Sequence, residues 1–296
     1  MSPTVSVVVA TYRRDEALKN ALESLGKQSF TDLEIVVVDD NSNEEWNAKV
    51  KAIIENFQQT YPSVDLKYIP NASNQGSAKT RNIGIDAALG EYITFLDDDD
   101  LYLPEKVKRQ VEFMIEGGYD FSITDLDLYN ENDKLIDQRI RSYIKSTDHA
   151  SLLEYHLKYH MTGTDTMMFR KDYLVKIGKF APIDVGDEFY LMQRAIDGEG
   201  KFGYLSGSDI KAYVHTGEGG LSSGDGKIKG ENALFEYKKN YFDKLSPKDR
   251  RYIKVRHYAV IAFAEVRRKR YFAFIGNAFK AFFCSPVVCV RMLVSR

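Results

Sequence analysis

Four consecutive aspartates, Asp97–Asp100, end the apolar run EYITFL, and a second acidic pair, Asp39-Asp40, ends LEIVVV. Both runs read as buried strands of an α/β sheet, where ligands bind beyond the carboxyl ends of the strands. Two acidic clusters at one sheet edge repel each other, which a purely structural scaffold would avoid. A hard divalent cation with oxygen ligands, bridging substrate phosphates, offsets that repulsion. The bland alternative is an exposed acidic turn that caps the helix starting at Pro104. His156 and His160 stand four apart on a helical stretch, a spacing that could hold zinc. With no glutamate beside the first and no third ligand, they read as a packed or acceptor-side pair, and no zinc is expected.

The elements that must position these residues alternate between strand and helix over the first 125 residues, the pattern of a mainly parallel sheet covered by helices. VSVVVA (5–10) is an unbroken β-branched strand, and Asp15 caps a helix with Ala17, Leu18, Ala21, Leu22 and Leu25 at helical spacing. Residues 46–59 predict a helix and LKYI (66–69) a short strand; a loop and a helix closed by Gly90 follow. After Pro104, Val107, Val111, Met114 and Ile115 are expected on one helix face, stopped by Gly117-Gly118. A strand at 119–124 and a hairpin over 125–145 come next, then a helix at about 149–159 and a strand with its helix at 166–177. A helix from Asp187 and strands near 202–205 and 211–214 complete the core. The Gly/Ser-rich stretch TGEGGLSSGDGKIKG is expected to be a loop ahead of a helical tail, which sets domains at 1–229 and 230–296. The first domain divides further into a 1–100 half and a 101–229 half, one expected for each of two substrates.

Taken in order, VSVVVATYRR, IVVVDDNS, NQGSAKTRNIG, GEYITFLDDDD and GDEFYLMQR resemble the family-2 glycosyltransferases over roughly residues 4–215. The turn DDNSNEE is especially similar to the spore-coat polysaccharide members of that family. The resemblance implies a GT-A fold, with a C-terminal helical appendage, and an inverting, metal-dependent transfer of a sugar from a UDP-sugar. It places Thr11, Tyr12 and Arg14 at the nucleotide, with Tyr12 able to stack on the base. Asp40 would accept from the uracil imide, Asp39 would support the turn, and Arg81 would pair with base or diphosphate oxygens. Asp97-x-Asp99 matches the family's D-x-D motif, although Asp98-x-Asp100 fits too. Asp99 would ligate Mn²⁺ or Mg²⁺, and Asp97 or Asp98 would contact the ribose or a metal-bound water. Asp187 resembles the catalytic base, but Gly186 stands where the family carries an acidic residue, which leaves Glu188 as the alternative. At a helix N-terminus a carboxylate is stabilised in its ionised form, as a base should be. His215, ahead of the glycine-rich stretch, would touch the metal or the diphosphate.

The rest of the composition narrows the class. A Q-x-x-R-W motif is absent and the single tryptophan is Trp46, so one sugar per encounter is expected rather than processive synthesis. A sugar nucleotidyltransferase would need a glycine-rich loop after the first strand, which ATYRRDEA lacks. Cys284 and Cys289 match no redox spacing, which favours a reducing compartment. Residues 248–296 carry twelve Lys/Arg against two acidic groups, an asymmetry that marks a surface for an anionic partner. Phe272, Phe274, Ile275, Phe279, Phe282 and Phe283 follow the densest basic run, as in an interfacial helix. The expected location is therefore cytoplasmic, peripheral on the inner face of the membrane, near a glycan or lipid-linked acceptor. No nucleic-acid partner is expected, because the aromatics form a continuous apolar stripe and not spaced stacking platforms.

Overall fold

The β-branched run at the start becomes β1 (Val5–Thr11), six of whose seven residues are buried, Thr11 at its end among them. In the computed structural model, residues 4–183, 185–214 and 224–294 are described. Asp15 accepts from Glu16 N at 2.9 Å and opens α1 (Glu16–Gly26), whose Leu18, Ala21, Leu22 and Leu25 are buried. Next come β2 (Leu33–Asp39), α2 (Glu44–Thr60), β3 (Asp65–Pro70), α3 (Ser77–Ala87) and β4 (Tyr92–Phe95). A two-residue strand, β5 (Leu101–Tyr102), follows the aspartate run and precedes α4 (Lys106–Gly117), β6 (Phe121–Thr124), β7 (Leu126–Tyr129) and β8 (Leu135–Arg139). The chain continues through α5 (His149–Tyr159), β9 (Met167–Arg170), α6 (Lys171–Lys176), α7 (Asp187–Asp197), β10 (Phe202–Leu205) and β11 (Ile210–Tyr213). The last helices are α8 (Gly224–Lys239), α9 (Pro247–Arg267), α10 (Tyr271–Cys284) and α11 (Pro286–Val294).

By packing, residues 4–147 and 161–214 form one compact unit, and residues 148–160 join the described residues from 224 onward in a second. In the first unit a seven-stranded sheet runs β10-β6-β9-β4-β1-β2-β3, and a smaller sheet runs β5-β11-β7-β8. β1 pairs in parallel with both β2 and β4, so Thr11 lies opposite Asp39 and the run after Phe95 emerges at the same edge. β9 enters between β4 and β6 and is antiparallel to both. Two local expectations change. Val107, Val111 and Met114 are buried, but Ile115 is 54% exposed. One residue beyond Met114 turns about 100° around the helix, off the buried stripe. The stretch expected to be a loop as far as Gly230 is helical from Gly224 onward, where α8 brings Leu234 and Phe235 into buried positions.

The second unit is helical. Ser246 caps α9, accepting from Asp249 N at 3.2 Å, and Pro247 occupies the first turn, where its missing N–H costs nothing. α5, α8 and α10 all pack on α9. Lys158 of α5 pairs with Asp249 of α9 at 2.7 Å, and the Phe235 ring stacks on His257 at 4.0 Å between centroids. His156 is buried, while His160 Nε2 faces Lys238 Nζ at 2.6 Å and Arg256 Nη1 at 2.9 Å. Two nitrogen groups crowding one imidazole nitrogen make a poor zinc ligand of it.

Candidate active site

Where β1, β2 and β4 end together, their terminal residues meet. Asp39 is fully buried; its Oδ1 accepts from Asn41 N (2.9 Å) and Asn41 Nδ2 (2.7 Å), and its Oδ2 from Tyr68 OH (2.7 Å). It holds the turn after β2. Asp40, also buried, accepts from Asn71 Nδ2 (2.8 Å), Gln75 N (2.7 Å) and Gly76 N (2.9 Å), which ties it to the start of α3. These contacts use three of the roughly four acceptor positions of a carboxylate. Thr11 donates to Asp98 Oδ2 at 2.7 Å, and Tyr12 N donates to the same oxygen at 3.2 Å. The Tyr12 ring is 44% exposed, with the Arg13 guanidinium 5.1 Å from its centroid. Arg14 Nη2 pairs with Asp99 Oδ2 at 2.8 Å.

Arg81 joins two acidic groups that lie far apart in the chain. Its Nη2 donates to Asp97 Oδ1 at 2.6 Å and its Nη1 to Asp187 Oδ2 at 2.7 Å. The guanidinium also lies 5.5 Å from the Phe180 ring centroid, and Asn82 clamps Phe180 by its backbone N–H and carbonyl. Ser77 donates to Asp187 Oδ2 at 3.3 Å. Asp187 is buried at the first position of α7, and its Oδ1 accepts from Glu188 N at 3.0 Å. Gly186, just before it, sits at φ 78°, a left-handed backbone that a β-carbon would strain. That conformation accounts for glycine where the resemblance implies an acidic residue. Burial, and then the neighbouring Asp187, push the Glu188 carboxyl up to about 8. At neutral pH the Glu188 carboxyl therefore favours its neutral form.

Around the aspartate run the carboxylates also repel one another. Burial, with Asp165 next in importance, raises Asp97 to about 7, and burial with Asp99 raises Asp98 to about 6. Burial and the facing Asp165 carry Asp100 well above the ordinary carboxylate range. Ligand oxygens of Asp97, Asp100 and Asp165 lie within 4.8 Å of one another. Such a set of hard oxygen donors, each driven toward its neutral form chiefly by burial, fits a divalent cation. Asp165 went unseen in the sequence. It sits in the short turn before β9, and its Oδ1 accepts from Asp97 N at 2.8 Å. A lone acid ahead of the apolar MMF offers no spacing by which to find it. Asp99 stands outside this trio, in its pair with Arg14; His215 lies outside the described residues.

A mixed seven-stranded sheet with one antiparallel strand, and an acidic rim where β1, β2 and β4 end, is the frame of a glycosyltransferase of GT-A type. The chain matches the family Glycosyl transferase family 2 over residues 6–178 and belongs to it. It is 29% identical over 223 residues to an uncharacterized glycosyltransferase of Methanocaldococcus jannaschii, covering 74% of each chain. Over 116 residues it is 38% identical to a GalNAc(5)-diNAcBac-PP-undecaprenol beta-1,3-glucosyltransferase of Campylobacter jejuni, covering 39% of this chain and only 36% of that one. Among solved structures, S. aureus TarS 1–349 in complex with UDP-GlcNAc superimposes with a TM-score of 0.61 at 19% identity, covering 96% of this chain and 91% of that one. A mannosyltransferase of Pyrobaculum calidifontis in complex with GDP-Man and Mn²⁺ gives 0.59 at 15% identity, covering 96% and 88%.

Proposed function

We propose that this glycosyltransferase moves one hexosyl or N-acetylhexosaminyl unit per encounter from a UDP-sugar to a hydroxyl of a glycan or lipid-linked acceptor, with inversion. The observation that carries the reading is the Arg81 bridge, which puts the aspartate run and the acidic start of α7 within one guanidinium of each other. Supporting it are the UDP-GlcNAc bound by TarS and the undecaprenol-linked substrate in the name of the Campylobacter relative. Asp99 would hold Mn²⁺ or Mg²⁺, with Asp97 or Asp98 at the ribose or a metal-bound water, and the ion would neutralise charge on the departing nucleoside diphosphate.

In this mechanism Tyr12 stacks on the base and Asp40 accepts from its imide. Arg81 turns from Asp187 toward the diphosphate, which leaves Asp187 Oδ2 free to act. Asp187 takes the proton of the acceptor hydroxyl. The acceptor oxygen bonds to the anomeric carbon as the bond to the diphosphate oxygen breaks. Glu188 keeps its own proton beside Asp187, so a second negative charge does not oppose the incoming diphosphate. The test is UDP release from a panel of UDP-sugars with Mn²⁺ or with EDTA, and proton NMR of the product's anomeric centre. A glycan-binding module with the same fold would release no UDP from any of them.

A further inference from the structure

α10 turns one side toward α9, with Ala281 buried, and the opposite side outward. The outward residues recur at helical spacing: Phe272 (94% exposed), Ile275, Phe279 and Phe283 (78% exposed), continued on α11 by Val287 and Val290. An apolar stripe of this length on a folded surface marks an interaction site. The segment that carries it has one sign of charge. After Glu265 the sequence has seven Lys/Arg and no acidic residue. Arg267, Lys269 and Arg270 are exposed at the turn into α10, and Lys280 directs its ammonium back over the Tyr258 ring of α9, 5.8 Å from the centroid.

We propose that this stripe docks on an anionic lipid bilayer, with α10 and α11 lying in the interface and the basic turn at the headgroups. Charge decides against a second copy of the chain, because apposed stripes would bring two like-charged rims together. Geometry favours the interface over a straight span. No single helix among the described residues is long and apolar enough to cross a membrane, and the α10–α11 pair bends by 118° at its break. At about 1.5 Å per residue, α10 reaches roughly 21 Å, short of a hydrocarbon core of about 30 Å. One-sided apolarity with cationic flanks is the pattern of a helix held at the interface.

This surface is independent of the transfer chemistry, and its test needs no sugar donor. The full chain is floated with vesicles of phosphatidylcholine alone or with phosphatidylglycerol added. Binding should favour the anionic vesicles by roughly tenfold or more and fall with salt. Phe272→Ser with Phe283→Ser should lower binding by roughly tenfold on either vesicle, with far-UV circular dichroism and melting temperature unchanged. Arg267→Gln, Lys269→Gln and Arg270→Gln together should remove the preference for anionic lipid. A Phe283→Trp variant should be quenched by lipids brominated near the headgroup end of the chain. Equal flotation of wild type and the double serine variant would overturn the proposal. So would a dimer in sedimentation analysis that the serine variant dissolves without any flotation, or retention in the membrane after alkaline carbonate extraction.

Discussion

Arg81 holds Asp187 through a 2.7 Å ion pair between residues 106 positions apart, while its other nitrogen holds Asp97 at 2.6 Å. One planar fork thus spans the two carboxylates that the proposed reaction needs at the donor and at the acceptor. Lysine offers a point charge on a flexible stem and cannot grip both. Arg81→Lys should therefore lower kcat by about 10²-fold, the cost of misplacing a reacting group. Donor affinity should fall as well. Steady-state kinetics on a UDP-sugar that the wild type uses would check both, and wild-type kcat in this variant would remove Arg81 from the mechanism.

The Asp187–Glu188 pair makes two substitutions diverge. Asp187→Asn cannot accept the proton, so turnover should drop by roughly 10²–10⁴-fold with little change in donor binding. Glu188→Gln copies the neutral form that burial already favours at pH 7 and should keep most of the activity. If Glu188→Gln is the more damaging of the two, the base is one residue further along the chain.

The same pair predicts how stability changes with pH. The folded Glu188 carboxyl is raised from 4.5 to about 8, so between those values the folded chain binds more protons than the unfolded one. The stabilisation linked to that proton is complete below about 4.5 and is lost as pH rises through about 8. The melting temperature of the wild type relative to Glu188→Gln should fall across that window. A difference that stays flat from pH 5 to pH 9 would contradict the raised carboxyl.

Removing the donor-side carboxylate should separate chemistry from folding. Asp99 is partly exposed and paired with Arg14, so Asp99→Ala should leave the melting temperature within a degree or two and abolish transfer. EDTA should silence the wild type, and added Mn²⁺ or Mg²⁺ should restore it. Calorimetric titration with Mn²⁺ would compare Asp99→Ala with Asp165→Asn. Undiminished Mn²⁺ affinity in Asp99→Ala would move the ion onto the Asp97, Asp100 and Asp165 trio.

Gly84, three residues beyond Arg81, lets α3 lie close on β1 and β2. A β-carbon there would press into Val8 Cγ1 and come within 3.3 Å of Val38 Cγ2. Gly84→Ala should cost about 1–3 kcal/mol, the usual penalty for overpacking a close helix–sheet contact. It should also lower activity, because α3 carries Arg81. Urea unfolding and initial rates would report the two effects, and an alanine variant of wild-type stability would show that α3 has slack.

What the sequence determined by itself is what local pattern can carry. Unbroken apolar runs specified the buried β1, β2 and β4, Asp15 capped α1, and the acidic residues at strand ends pointed to the sheet edge where ligands gather. The ordered motifs were distinctive enough to point to the family. Side-chain period also places Val107, Val111 and Met114 on one face, but whether the residue beside them is covered depends on the neighbouring element, and Ile115 is exposed. Only the tertiary structure decided that β9 enters between β4 and β6, and that Asp165 comes to the aspartate run from 68 residues away. It alone brings Arg81 between Asp97 and Asp187. These pairings leave no periodic trace in the chain, because contacts distant in sequence arise from how separate elements close on one another, which no local spacing records.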